Sequence, residues 1–291
     1  MKHTILFLAI LFLAILLALC FWTLAVSAEE DQWGEFGLTY QVIAGLNITQ
    51  NTYDNWTAGG EDALAYTMTL NSKLEKNQPK YIWTVTGDFA FGQTKQGDDS
   101  IKNAVDKISV EGLCTYKLGS YVNPYVGLGF DTQFTKGYDY SVSPKEARSN
   151  FLDPIYIMGG VGVGFFIKPN LKTRLGLAFK ETRADKFAQF YSDDPDTPDE
   201  VETSRFETGI ESVTDYNVKL GENLLYETKL GLFSAFEHLD IVDIKWDNKW
   251  TAQVAKYVNV NLNILVYYDE DIIKKAQIKE TLSIGLTYTI F

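Results

Sequence analysis

Histidine and cysteine are nearly absent from this chain of 291 residues, which holds two of each. His3 and Cys20 lie in the first 28 residues, so only His238 and Cys114 remain downstream. One cysteine closes no internal disulfide. One histidine is a thin basis for acid–base chemistry. His238 stands in a short connection with Glu237 and Asp240, and the sequence places no nucleophile beside it, so a solvated loop residue is the simpler reading. No enzyme activity, metal or cofactor is expected. Positive charge is also short: 26 Lys and Arg face 38 Asp and Glu, for a formal charge of −12. That balance argues against nucleic acid as a partner and against docking on an anionic inner leaflet. Proline occurs seven times. Beyond residue 28 no apolar run is long enough to cross a membrane as a helix.

The amino terminus differs. Lys2 precedes an apolar run from Ile5 to Val26, and Val26-Ser27-Ala28 supplies small residues where a signal peptidase reads. Cleavage after Ala28 is expected, with an uncleaved anchor helix as the competing reading. Leu19 stands where a lipoprotein signal at Cys20 needs a small residue. Residues 29–291 then form one domain. Losing Lys2, the one basic residue of the signal, takes the formal charge from −12 to −13.

What the domain has in abundance is aromatics and alternation. In 66–74, Tyr66, Met68, Leu70 and Leu74 alternate with Thr67, Thr69, Asn71 and Lys73, the two-residue period of a strand with unlike faces. The pattern recurs over 36–49, 63–75, 81–92, 107–118, 122–136, 154–168, 171–182, 205–220, 224–236, 242–254, 257–268 and 276–290. Connections at 75–80, 119–122, 168–170, 221–223 and 255–257 are short, while 50–62, 94–106, 137–153 and 183–204 are long. Twelve strands with short turns on one rim and long loops on the other describe a transmembrane antiparallel up-and-down β-barrel, with both termini on the short-turn side. Closure also removes edges that lipid does not tolerate.

The second face is rich in charge: Lys107, Glu111, Lys172, Arg174, Lys180, Glu207, Glu211, Asp215, Lys229, Asp243, Lys245, Asp247 and Lys249, with Asn259, Asn261 and Asn263. A dry core does not accept so many charges, whereas a wet lumen does. Tyr81, Tyr121, Tyr125, Tyr257, Tyr267, Tyr268 and Tyr288 near strand ends suit interfacial girdles. Terminal Phe291 reads as an assembly signal for the barrel-assembly machinery, although it falls one residue off the apolar series ending at Ile290.

The motifs NTYDNWTAGGED (51–62), KQGDDSIKNAVDKI (95–108), FTKGYDY (134–140) and SNFLDPIY (149–156) together resemble a family of outer-membrane barrels of unknown function found in Bacteroidota-type bacteria. The resemblance implies a bacterial outer-membrane location and a barrel fold, and no substrate.

Trp56, Gly59, Gly60, Asp98, Asp99, Tyr138, Asp139, Tyr140 and Asn150 fall in the first three long loops. They form either a binding rim for a small solute or a scaffold that folds the loops together, with glycines for turns and aspartates capping backbone amides. The acidic stretch SDDPDTPDEVE (192–202) lacks the spacing of a calcium loop, and the loop that holds it, 183–204, is expected to stay mobile. GGVGVG (159–164) lies within a strand, so it is not a dinucleotide loop. Its inward Gly160, Gly162 and Gly164 either permit close packing or leave room for a solute. The function expected is a narrow channel or solute-binding barrel, with a non-conducting structural barrel and an outer-membrane enzyme as alternatives. Membrane lipid is the expected surrounding partner.

Overall fold

A computed structural model describes residues 36–52, 61–119, 122–168, 170–193, 197, 200–270 and 273–289. Twelve antiparallel strands close into one barrel. In chain order they are β1 (Gly37–Asn51), β2 (Ala63–Asn77), β3 (Tyr81–Gln96), β4 (Lys102–Tyr116), β5 (Val122–Thr132), β8 (Ile155–Lys168), β9 (Leu171–Arg183), β10 (Ser204–Lys219), β11 (Leu224–Ala235), β12 (Asp243–Ala255), β13 (Val258–Asp269) and β14 (Ile273–Thr289). Two short strands, β6 (Gly137–Asp139) and β7 (Glu146–Ser149), make a hairpin outside the barrel, in the loop after β5.

Each strand pairs with its sequence neighbour, and β14 returns to pair with β1. Alternation fixes which face turns outward, because a slip of one residue would reverse every side chain. The apolar series points out: Leu177 is 59% exposed and Ile278 71%. The charged series points in. The short turns are tied locally. In the β4–β5 turn the buried Asn123 accepts from the amides of Leu118 (3.0 Å) and Gly119 (3.2 Å). In the β10–β11 turn Gly221 has φ +117°, a conformation that favours glycine.

The structure corrects several expectations. The second long loop is only 97–101, because β3 and β4 extend through most of 94–106. The third contains the β6–β7 hairpin. Tyr125 and Tyr267 are lumen residues, not girdle aromatics: both lie on the inward series and bond to carboxylates, Tyr125 to Glu211 at 2.6 Å and Tyr267 to Asp269 at 3.1 Å. The fourth loop is packed where it is described. A 3-10 turn at Ala188–Phe190 follows buried Ala184 and leads to buried Ser192, whose hydroxyl donates to the Glu202 carbonyl (2.6 Å).

Candidate functional site

The long-loop rim is assembled from strand ends. Asp106, on β4, accepts from the amides of Phe134 (2.6 Å) and Thr135 (2.9 Å) and from the Thr135 hydroxyl (2.5 Å). Asn103 donates its amide to the Tyr140 hydroxyl (3.1 Å) and its side chain to Thr135 (2.8 Å) and the Lys136 carbonyl (3.2 Å). The second and third loops are therefore one unit. The amide of Gly97 donates to the Asp62 carbonyl (2.7 Å), tying the first loop's end to the second.

Of the rim residues expected from sequence, Tyr138, Asp139 and Tyr140 share the β6 edge. The two rings lie 6.1 Å apart, with the Lys145 ammonium 4.3 Å from Tyr138 and 5.8 Å from Tyr140. Asp139 accepts from the Ser141 hydroxyl (2.6 Å) and amide (2.9 Å) and pairs with Arg148 (3.2 Å). The Ser141 bonds, helped by Arg148, hold its carboxyl below the usual carboxylate range. Asp99 pairs with Lys102 at 2.6 Å, and Lys102 in turn faces the Tyr140 ring at 6.0 Å. Asp98 is exposed, and no described backbone amide donates to either carboxylate. Their expected capping role belongs to Asp106 and Asp153 instead. Asn150 contributes backbone only, in a bridge to Asp153. Trp56, Gly59 and Gly60 lie outside the described residues.

Asp153 was not singled out from sequence. Buried at the base of the hairpin, it accepts from the amides of Asp185 (2.7 Å) and Lys186 (3.0 Å) and so anchors the fourth loop. Arg148 stacks on Phe190 at 4.3 Å from the same side. Burial between these elements pushes the Tyr191 phenol up from its ordinary value. A lone Asp before Pro154 gives no sequence signal of this long-range role.

Below the rim, the lumen is crossed by ion pairs. Glu111 on β4 meets Arg174 on β9 at 2.5 Å and also contacts Lys229 on β11, close to the facing wall. Lys245 on β12 reaches Asp131 on β5 at 2.8 Å. Lys180 on β9 gathers Asp243 (2.5 Å), Glu207 (3.1 Å) and Asp269 (3.2 Å). Room for these side chains comes from the glycines. A Cβ on Gly160 would meet the Glu211 carboxylate, and one on Gly176 the Tyr125 hydroxyl. The glycine wall is thus filled by Tyr125 and Glu211 rather than left open for a solute. A cavity of about 60 Å3 remains beneath, beside Leu113, Lys172, Arg174 and Asp215.

The side of the lumen formed by β14, β1, β2 and β3 is different. Two of its inward charges are open: Lys73 near the short-turn rim and Asp88 at mid-height are each about half exposed. Facing them, Lys229 and Lys245 are nearly as open despite their partners. Charges open to water thus line part of the lumen, while Tyr125, Glu211 and the Glu111–Arg174 pair fill another part. Among the described residues no cluster of His, Cys, Asp and Glu is arranged to hold a metal ion.

A family model described as a protein of unknown function, DUF3078, matches residues 48–138. The chain is similar to that family over this stretch. It runs from the end of β1 into the β6 strand and takes in the first two long loops and the start of the third. No curated protein matches the chain. Among solved structures, the translocator domain of the autotransporter NalP from Neisseria meningitidis has TM-score 0.40 and 10% identity, covering 88% of this chain and 89% of that one. An outer membrane channel from Pseudomonas putida F1 has TM-score 0.40 and 9% identity, covering 91% and 99% respectively. None of these overlays is close enough to carry a statement about the activity of this chain.

Proposed function

We propose that this chain is an outer-membrane β-barrel that gives a small polar solute a narrow passage along one side of its lumen. The observation that carries the reading is the run of half-exposed inward charges from Lys73 near the short-turn rim, through Asp88 and Lys229, to Lys245 near the long-loop rim. Water reaches each of them, and they stand opposite an exposed apolar outer face, the two-faced pattern of a spanning barrel. On this reading residues 1–28 direct export and are removed, the barrel-assembly machinery inserts the remainder, and the long loops face outward. Terminal sequencing of the mature protein is expected to begin at Glu29.

Conductance of the refolded barrel in planar bilayers tests the passage. Discrete, small current steps are expected. A barrel that inserts and stays silent would remove the passage and leave the second reading, a filled barrel with a structural or surface-interaction role. That reading is favoured by the Glu111 bridge between Arg174 and Lys229, which crosses the lumen at mid-height.

A further inference from the structure

The β1–β14 ladder stops early. It runs from Ile43–Thr289 to Asn47–Gly285. Both strands continue toward the long-loop rim, β1 through Ile48–Asn51 and β14 back through Ile284 to Ile273. Over that stretch each keeps its other neighbour, β2 and β13, but among the described residues the two do not pair with each other. By contrast, β1 pairs with β2 along its whole length, from Gly37–Asn77 to Asn51–Ala63. The split begins at a tight pair. A side chain on Gly285 would collide with the Asn47 amide and the Leu46 carbonyl. Among the described residues, the wall is thus unpaired where Ile48–Asn51 run beside Thr281–Ile284.

Unpaired backbone groups do not lie against hydrocarbon, where each costs several kcal/mol, so a gap in a spanning barrel is wet or filled. Its lining is two-faced. Toward the outside stand Ile48, Ile278, Leu282 and Ile284, exposed by 59%, 71%, 67% and 64%. Inside stands Lys279, on the inward series of β14 beside Leu265 of β13. Lys279 has no carboxylate partner among the described residues. Lys107 on β4 is held only loosely, 4.0 Å from Asp88. Glu280 points outward next to the gap, and a carboxylate there is tolerable where water reaches it.

We propose that the long-loop half of the β1–β14 seam is a side opening for a single-chain anionic amphiphile, whose head pairs with Lys279 in the lumen while its chain leaves between Ile48 and Ile284 into the surrounding lipid. The charge order draws an anion inward, away from Glu280 and toward Lys279. The apolar edges accept a hydrocarbon chain but offer nothing to a polar solute. This inference rests on the membrane reading above.

The test uses the mature barrel in nanodiscs of zwitterionic lipid, with insertion checked first by heat-modifiable migration, so that failure of the membrane reading shows before any ligand is added. Spin-labelled dodecanoate and a spin-labelled dodecyltrimethylammonium of equal chain length are then titrated. Dodecanoate is expected to bind roughly tenfold tighter than the cation. Lys279→Gln should remove that preference and Lys279→Arg should restore it. In a Cys114→Ser background, Ser283→Cys should react with a bulky maleimide and the adduct should abolish binding. Equal binding of the two head groups, preference unchanged in Lys279→Gln, or no maleimide reaction at Ser283→Cys would each overturn the proposal. So would a second copy cross-linked at that cysteine, since the edge would then be covered by protein.

Discussion

Glu111 is one carboxylate shared by two cations, so its loss leaves Arg174 and Lys229, two strands apart on the same wall, without the charge that holds them together. Glu111→Gln should lower the thermal unfolding midpoint, at a cost of about 2 kcal/mol because Lys229 is half exposed and water screens it. If the bridge also narrows the passage, the same variant should raise single-channel conductance; unchanged conductance with lowered stability would make the bridge purely structural. Asp139 gives a pH prediction. Its folded pKa is depressed, so the stability it lends the β6–β7 hairpin is present above the unfolded carboxylate value and lost as pH falls through the folded one. Pepsin cleavage within 137–149 should therefore rise between about pH 4 and pH 2, and Asp139→Asn should be cleaved alike at both. At this scale the sequence was only partly legible. Inward and outward followed from alternation, which placed Glu111, Arg174 and Lys229 correctly. Which acid meets which base did not follow, because partners such as Glu111 and Lys229 lie on strands far apart in the chain. Tyr125 was misplaced as a girdle residue by its nearness to a strand end, although its odd number already put it inside.

Strands and loops were legible to different depths. Every barrel strand was visible as a two-residue period, because burial of one face and exposure of the other leave their mark on each successive pair of residues. The loops were not, since their order comes from contacts made at a distance. The β6–β7 hairpin is too short to show a period, and the fourth loop's acidic composition suggested mobility while Asp153, on another loop, anchors it. Asp153→Ala should free that anchor and speed tryptic cleavage at Lys186, while the barrel's melting is unchanged; slow cleavage would show that Arg148 and Phe190 suffice. The strand faces can be checked with neighbours. Leu70 points out and Asn71 in, so Leu70→Arg should cost about 2–4 kcal/mol in membrane assembly and Asn71→Arg, beside Asp88, much less. Equal damage at both positions would sink the spanning reading.

For the whole molecule, connection lengths give the orientation. A peptide tag inserted between Asp193 and Thr197 should be reachable by antibody on intact cells, and one in the Gly221–Asn223 turn should not; the reverse pattern would invert the barrel. The short β1–β14 ladder bears on how the molecule is made. Every other barrel ladder joins strands that are consecutive in the barrel, so each forms by closing a local turn or a modest loop. The β1–β14 ladder alone must bring together the two ends of the domain, and it secures that long closure with pairs only from Ile43 to Asn47. Closing a long loop carries the largest entropic penalty, and here it meets the least hydrogen bonding. The sheet should therefore grow hairpin by hairpin as an open ribbon and circularise last. Among hydrogen-bonded ladder amides, those of Ile43–Asn47 that point to β14 should be the first to exchange their hydrogens, well ahead of those between β2 and β3, and partial denaturation should unroll the barrel from this junction while the remaining ladders hold.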